Sequence, residues 1–166
     1  MDYRFAEYLK ILQTITENYA YLPLEHIFNW DEVANQFEVD EEGDWYQVCF
    51  RSVRKADANT KLLYEADLAA HNEAKECGGL LKYWYGDLNQ HRECFATCIW
   101  SSREFSRIAI RKPLHMKAVA LTAKMYETYT LECYSIKKKR GEKYLTLERL
   151  VSHHPNAVGQ SSHIKQ

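Results

Sequence analysis

The sequence predicts an α+β fold built on an antiparallel β-α-β-β-α-β core. Three observations carry this. Runs rich in aromatic and β-branched residues at 45–54, 80–86, 94–100 and 131–139 read as strands. Helix-periodic stretches separate the first strand from the second and the third from the fourth. The polar link at 87–92 is too short for a parallel crossover, so the second and third strands form an antiparallel pair.

In chain order, residues 1–20 predict an amphipathic helix, with Phe5, Leu9, Leu12, Ile15 and Tyr19 at three- and four-residue spacing. Leu22-Pro23-Leu24 ends it, and a short helix starting near Asn29 or Asp31 carries Val33, Ala34 and Phe37. An acidic loop, EVDEEGD, closes this helical segment at 1–43 and opens the main domain, 44–151. Asp57 or Asn59 caps a helix over about 59–76, with Leu62, Leu63, Ala66, Ala69 and Ala70 as its apolar stripe. Gly78-Gly79 stops it. Ser101 and Glu104 have capping-box spacing, and Pro113 at a first helical position restarts a helix that runs to about Tyr129. Residues 140–142 turn the fourth strand into a fifth, KYLTLERL. The stretch 152–166 is polar and aperiodic and predicts a flexible tail. The central six elements are the ferredoxin-like arrangement.

Composition narrows the function. Lys+Arg 22 against Asp+Glu 23 gives a net charge of -1, so no overall basic field recruits nucleic acid. The KKKR run at 137–140 reads as a solvated hairpin tip, and CFATCIW lacks the Arg/Lys-Gly opening of an RNA-binding strand. No apolar run is long enough for a membrane span, and the first residues lack a signal peptide's apolar region. Five cysteines without a CxxC predict reduced, buried thiols and a cytoplasmic location. Glycine-rich phosphate loops, GxSxG and HExxH are absent from the sequence. The aromatic share, 13%, points to a heavy core or a concave apolar site.

Each main strand is apolar on both faces, whereas a half-solvated antiparallel sheet alternates. Something must cover the second face. A second subunit's sheet would give a homodimeric α/β barrel, and this is the preferred expectation. The chain's own amino-terminal helices would give a three-layer monomer.

FRSVRKADANTKLLYEADLAAHNEA, GGLLKYWYG, CFATCIW and KMYETYTLE resemble an uncharacterised, mainly fungal family of unknown function, over about 45–137. That family implies no catalytic residue. By element order the domain is also similar to the dimeric α/β-barrel superfamily. That similarity implies cofactor-independent oxygenases, isomerases or cyclases, with haem binding as an alternative.

The candidate chemistry is sparse. His115 shares a helix flank with Val119, Thr122 and Tyr126 beside the apolar stripe. At a helix start its imidazole is biased toward the neutral form, suited to acid/base work. His71 lies one turn after Asp67, which can orient it, and either histidine is the axial ligand in the haem reading. Tyr83 and Tyr85 share a strand face, Trp84 takes the other, and Trp100 ends the neighbouring strand, so these rings can line a slot for a flat ligand. Arg51 and Arg54 fall on opposite faces, and Arg51 is the expected anion or carbonyl contact. Cys94 and Cys98 point the same way and read as small core residues. His153, His154 and His163 fall in the tail. The expected function is binding of a small apolar or aromatic molecule, with His115 as acid/base group and Tyr83, Tyr85, Trp100, Arg51, Tyr126 and His71 around the ligand. No cofactor is expected. The alternative is a non-catalytic protein-interaction module.

Overall fold

The computed structural model describes residues 3–151. Five strands, β1 (Gly43–Arg54), β2 (Leu80–Tyr85), β3 (Glu93–Trp100), β4 (Tyr126–Lys138) and β5 (Thr146–Leu150), form one sheet. Its order is β2-β3-β1-β4-β5, and every neighbouring pair is antiparallel. The first four strands have the ferredoxin-like order, and β5 extends the β4 edge. The expected α+β fold is thus observed. The tail at 152–166, with its histidines, lies outside the described residues.

On one face lie α3 (Thr60–Glu76), α4 (Arg103–Ile110) and α5 (Pro113–Met125). The Asn59 side chain caps α3 by accepting the Leu62 N–H at 3.0 Å. Gly79, at φ +72, returns the chain to β2. A Cβ there would stand 2.2 Å from Cγ of Phe105, so the turn needs glycine for space as well. The expected Ser101–Glu104 capping box does not form: α4 starts at Arg103 with Ser102 before it, and no side chain caps it.

On the opposite face lies the chain's own amino-terminal segment, with α1 (Tyr3–Tyr8) and α2 (Trp30–Ala34). Phe5, Leu9, Leu12, Leu24, Ile27, Phe28 and Val33 bury against Trp45, Cys49, Phe95, Ile99, Tyr134 and Ile136. The preferred expectation, that a second copy's sheet fills this face, is corrected: this segment supplies the apolar cover. It is fastened by polar contacts as well. The Arg51 guanidinium donates to the carbonyls of Tyr19, Ala20 and Leu22 at 3.3, 2.9 and 2.7 Å and pairs with Glu132 at 3.2 Å. Glu41 receives Arg4 at 2.6 Å and the Tyr8 hydroxyl at 3.1 Å.

The single helix expected over 1–20 is also corrected. It ends at Tyr8, a 3-10 turn follows at Leu9–Ile11, and the chain then straightens. The Ile15 N–H reaches the Ile27 carbonyl and the Asn29 N–H reaches the Gln13 carbonyl, at 2.9 and 3.1 Å. The run Thr14-Ile15-Thr16 suits such a ladder better than a helix. At the other end, α5 stops at Met125, and Tyr126, Thr128 and Tyr129, expected in the helix, pair with β1 instead.

Candidate functional site

Helix α5 has no buried residue. It packs on α3, and the two form a roof standing off the sheet. Where Ala74, Ala109 and Phe105 reach down, the roof closes on Tyr46, Val48 and Trp100. Beside that closed end a cavity of about 170 Å3 opens between roof and sheet. Its floor is the β1–β3 face carrying Phe50, Ala96, Cys98 and Trp100, extended by Tyr83 and Tyr85 of β2. Small residues, Ala66 and Ala70 of α3 and Ala118 of α5, leave the space.

The roof is fixed by one carboxylate. Glu73 of α3 accepts the backbone N–H groups of Leu114 and His115, both at 3.0 Å. No side chain of the preceding Lys112 caps α5, so Glu73 does so from the neighbouring helix. The same contact sets the height of His115 over the cavity.

His115 borders the cavity, and its Nδ1 is buried with no hydrogen-bond partner among the described residues. Burial lowers its pKa, against the opposing pull of the Glu73 and Asp67 carboxylates, so the ring is neutral at pH 7. His71 also borders the cavity, and burial, helped by Lys75, lowers its pKa too. Its ring lies 4.8 Å from that of Tyr83.

The Tyr83 hydroxyl donates to both oxygens of Asp67, at 2.8 and 2.9 Å. Asp67 keeps solvent contact, yet the carbon around its carboxyl raises its pKa. Burial and the Asp67 charge push the Tyr83 phenol far up, so Tyr83 keeps its proton and serves as a donor. Burial likewise raises the thiols of Cys94 and Cys98, which border the cavity as inert walls, not nucleophiles. The Thr122 hydroxyl is committed to the Val119 carbonyl at 2.6 Å.

Of the seven residues expected at the site, His115, His71, Tyr83, Tyr85, Trp100 and Tyr126 border the cavity together. Arg51 does not. It points to the opposite face, where its donors are used on the amino-terminal segment. Arg54 borders the cavity in its place. Asp67 and Tyr129 also border it and were not among the expected ligand contacts. Asp67 was legible only as a helix partner of His71, because its contact with Tyr83 spans α3 and β2. Trp84 faces away and packs against Tyr19 and Phe28, with ring centroids 5.2 Å apart in each case. Among the described residues no three His, Cys, Asp or Glu side chains gather to hold a metal ion. No described helix is long and apolar enough to cross a membrane.

Residues 2–149 match the model of the PB2B2.08-like family, nearly the whole described chain. The chain belongs to that family. This bears out the resemblance to an uncharacterised family read from the sequence. A curated relative, UPF0643 protein PB2B2.08 of Schizosaccharomyces pombe, is 29% identical over 137 residues, which cover 74% of this chain and 62% of the relative. The chain thus spans under two thirds of that relative's length. Solved structures similar in shape include protein SO0527 from Shewanella oneidensis, at 11% identity and TM-score 0.49, covering 58% of this chain and 98% of that one. SnoaB, a cofactor-independent oxygenase from Streptomyces nogalater, matches at 9% identity and TM-score 0.47, covering 60% and 99%. A dimeric ferredoxin-like protein of unknown function from Thermobifida fusca matches at 15% identity and TM-score 0.45, covering 55% and 90%.

Proposed function

We propose that the chain binds a compact aromatic or apolar small molecule under α3 and α5, and that His115 exchanges a proton with it. The observation that carries this reading is a cavity of about 170 Å3 bordered by a neutral imidazole whose Nδ1 lacks a partner. A cavity of about 150 Å3 takes a benzene-sized ring. The walls supply apolar contact through Phe50, Ala96, Trp100 and Leu121. Neutral His115 accepts a proton from an acidic C–H or O–H of the ligand, and a tyrosine hydroxyl donates to the oxyanion that develops. Isomerisation and cyclisation need only such transfers. Oxygenation adds dioxygen as the oxidant of the resulting carbanion.

Haem, the alternative raised by the superfamily resemblance, is less favoured: both histidines border the space, but its volume of about 170 Å3 matches one ring better than a tetrapyrrole. A homodimer remains part of the proposal, through a different surface from the one expected. Leu68 of α3 with Met116 and Val119 of α5 are exposed on the roof, and light scattering on the full chain tests whether a second copy covers them. The five free thiols fit a reducing compartment, and we place the protein in the cytoplasm.

The test uses 4-fluorophenylacetone, one ring with a benzylic C–H acidified by its carbonyl. Fluorine NMR reads binding, and loss of the benzylic proton signal in deuterated water reads proton transfer. Wild type should bind and accelerate exchange. Ala118→Phe, which fills the cavity, should abolish both. His115→Gln should keep binding within about threefold and lose about a hundredfold or more of the exchange rate. Binding that survives Ala118→Phe would overturn the assignment of the site, and exchange that survives His115→Gln would overturn the role of the imidazole.

A further inference from the structure

We infer that Arg54 is an anion-binding residue and that the ligand of this cavity is a carboxylic acid, its apolar ring under the helix roof and its carboxylate on the guanidinium. The inference rests on the reading of the cavity as a ligand site and adds the ligand's charge.

Arg54 is only 9% exposed, and it borders the cavity. Its Nε is buried with no hydrogen-bond partner, and among the described residues its guanidinium forms no ion pair. Its neighbours are neutral rings. Cζ stands 5.7 Å from the ring centre of Tyr64, and the charge acts on the Tyr126 phenol, whose pKa it lowers against burial. A buried cation without a counter-charge is costly. Arg51, on the opposite face of the same strand, shows the satisfied case, with one carboxylate and three carbonyls.

The pairing of β1 with β4 explains why Arg54 lacks a carboxylate. Val53 stands opposite Thr128. A regular ladder would set Arg54 opposite Glu127, on the same face and within reach of an ion pair. The register slips by one residue at this point, and Arg54 stands opposite Tyr126 instead. Glu127 turns away and pairs with Arg92 at 2.8 Å. Such bulges re-aim side chains beside functional sites. A carboxylate one position away in sequence is therefore spent elsewhere. Asp67, the carboxylate that does border the cavity, accepts from Tyr83.

What remains is an arginine that borders a space of about one ring, beside a phenol that burial keeps protonated despite the opposing effect of Arg54. The guanidinium fork matches a carboxylate in shape and charge.

The experiment titrates the full chain with 4-fluorobenzoate and 4-fluorobenzyl alcohol at pH 7.5 by fluorine NMR. The two probes share a ring and differ in charge. Wild type should bind the benzoate about tenfold or more tighter, the range of one charge-assisted hydrogen bond. Arg54→Met should erase that preference while holding the alcohol affinity within about twofold. Arg54→Lys should keep only part of it, having a charge without the fork. If Arg54→Met does not fold, Arg54→Lys decides alone: a preference reduced several-fold supports the inference, and an unchanged one overturns it. A wild type that binds both probes equally overturns the inference and leaves the cavity reading standing. A wild type that binds neither probe removes both.

Discussion

Removing the Glu73 carboxylate should loosen the roof and shift His115 in a measurable way. In the folded chain this side chain accepts two N–H groups at the start of α5, both at 3.0 Å. Losing an N-terminal cap costs about 1 kcal/mol, within a range of about 0.5–2. Losing a negative charge at a helix start costs about 0.3–1 kcal/mol more. Glu73→Ala should therefore destabilise by about 2 kcal/mol, or lower the thermal midpoint by about 4–8 °C in a chain of this size. Glu73→Gln keeps an acceptor and loses the charge, so it should cost about half as much. Urea unfolding followed by far-ultraviolet circular dichroism measures the midpoint, with an unchanged m-value as the sign that only stability has moved. Because the Glu73 charge raises the His115 pKa against burial, both variants should lower that pKa further, read by proton NMR of the ring. A Glu73→Ala chain with wild-type stability and an unmoved His115 titration would refute this account of how α5 is anchored.

Phe5 is fully buried, with its ring 3.9 Å from that of Trp45, so Phe5→Ala should cost about 3–5 kcal/mol and expose the sheet's covered face, seen as increased binding of a hydrophobic dye. If the variant melted like wild type, the amino-terminal cover would be ornamental. Acid should destabilise the protein through its histidines. Burial holds His115 and His71 below their ordinary value of 6.5, so the unfolded chain takes up protons that the folded chain refuses. This contribution is whole above pH 6.5 and is lost as pH falls through that value toward the depressed folded values. Asp67 acts with the opposite sign. Its folded pKa lies above 3.8, so its buried charge is relieved, and stability regained, as pH falls from that raised value toward 3.8. Thermal melts between pH 7.5 and 5.5 should show a falling midpoint that flattens in His115→Gln; identical slopes would contradict the shift.

Much of the sheet was legible in the residues. Alternation at Tyr83-Trp84-Tyr85 placed two rings on the cavity side and one on the other, as found. The same rule put Arg51 and Arg54 on opposite faces but could not say which face held the cavity. That depended on the carbonyls of Tyr19, Ala20 and Leu22, about thirty residues away, which receive Arg51. The helix read through Tyr129 failed because Tyr126 to Tyr129 suit either structure locally, and pairing with β1 decided the matter. Helical spacing at 1–20 was real as far as Leu12, and of the later positions Tyr19 packs on the core while Ile15 does not. Ile15 continues the pattern yet is 62% exposed. The spacing therefore identified the buried positions better than it identified the backbone that carries them.

The amino-terminal cover has a consequence for how the chain reaches its fold. Residues 3–34 are synthesised before any strand of the surface they cover, at a few to about twenty residues per second. Lys138, whose ammonium donates to the Glu41 carbonyl at 3.1 Å, joins positions 97 apart. Until β1, β3 and β4 have paired, Phe5, Leu9 and Phe28 have no site to enter. Closing such long loops is the slow part of folding. The segment that leaves the ribosome early must therefore dock late, and in the interval its apolar side chains and the sheet face they cover both stand in water.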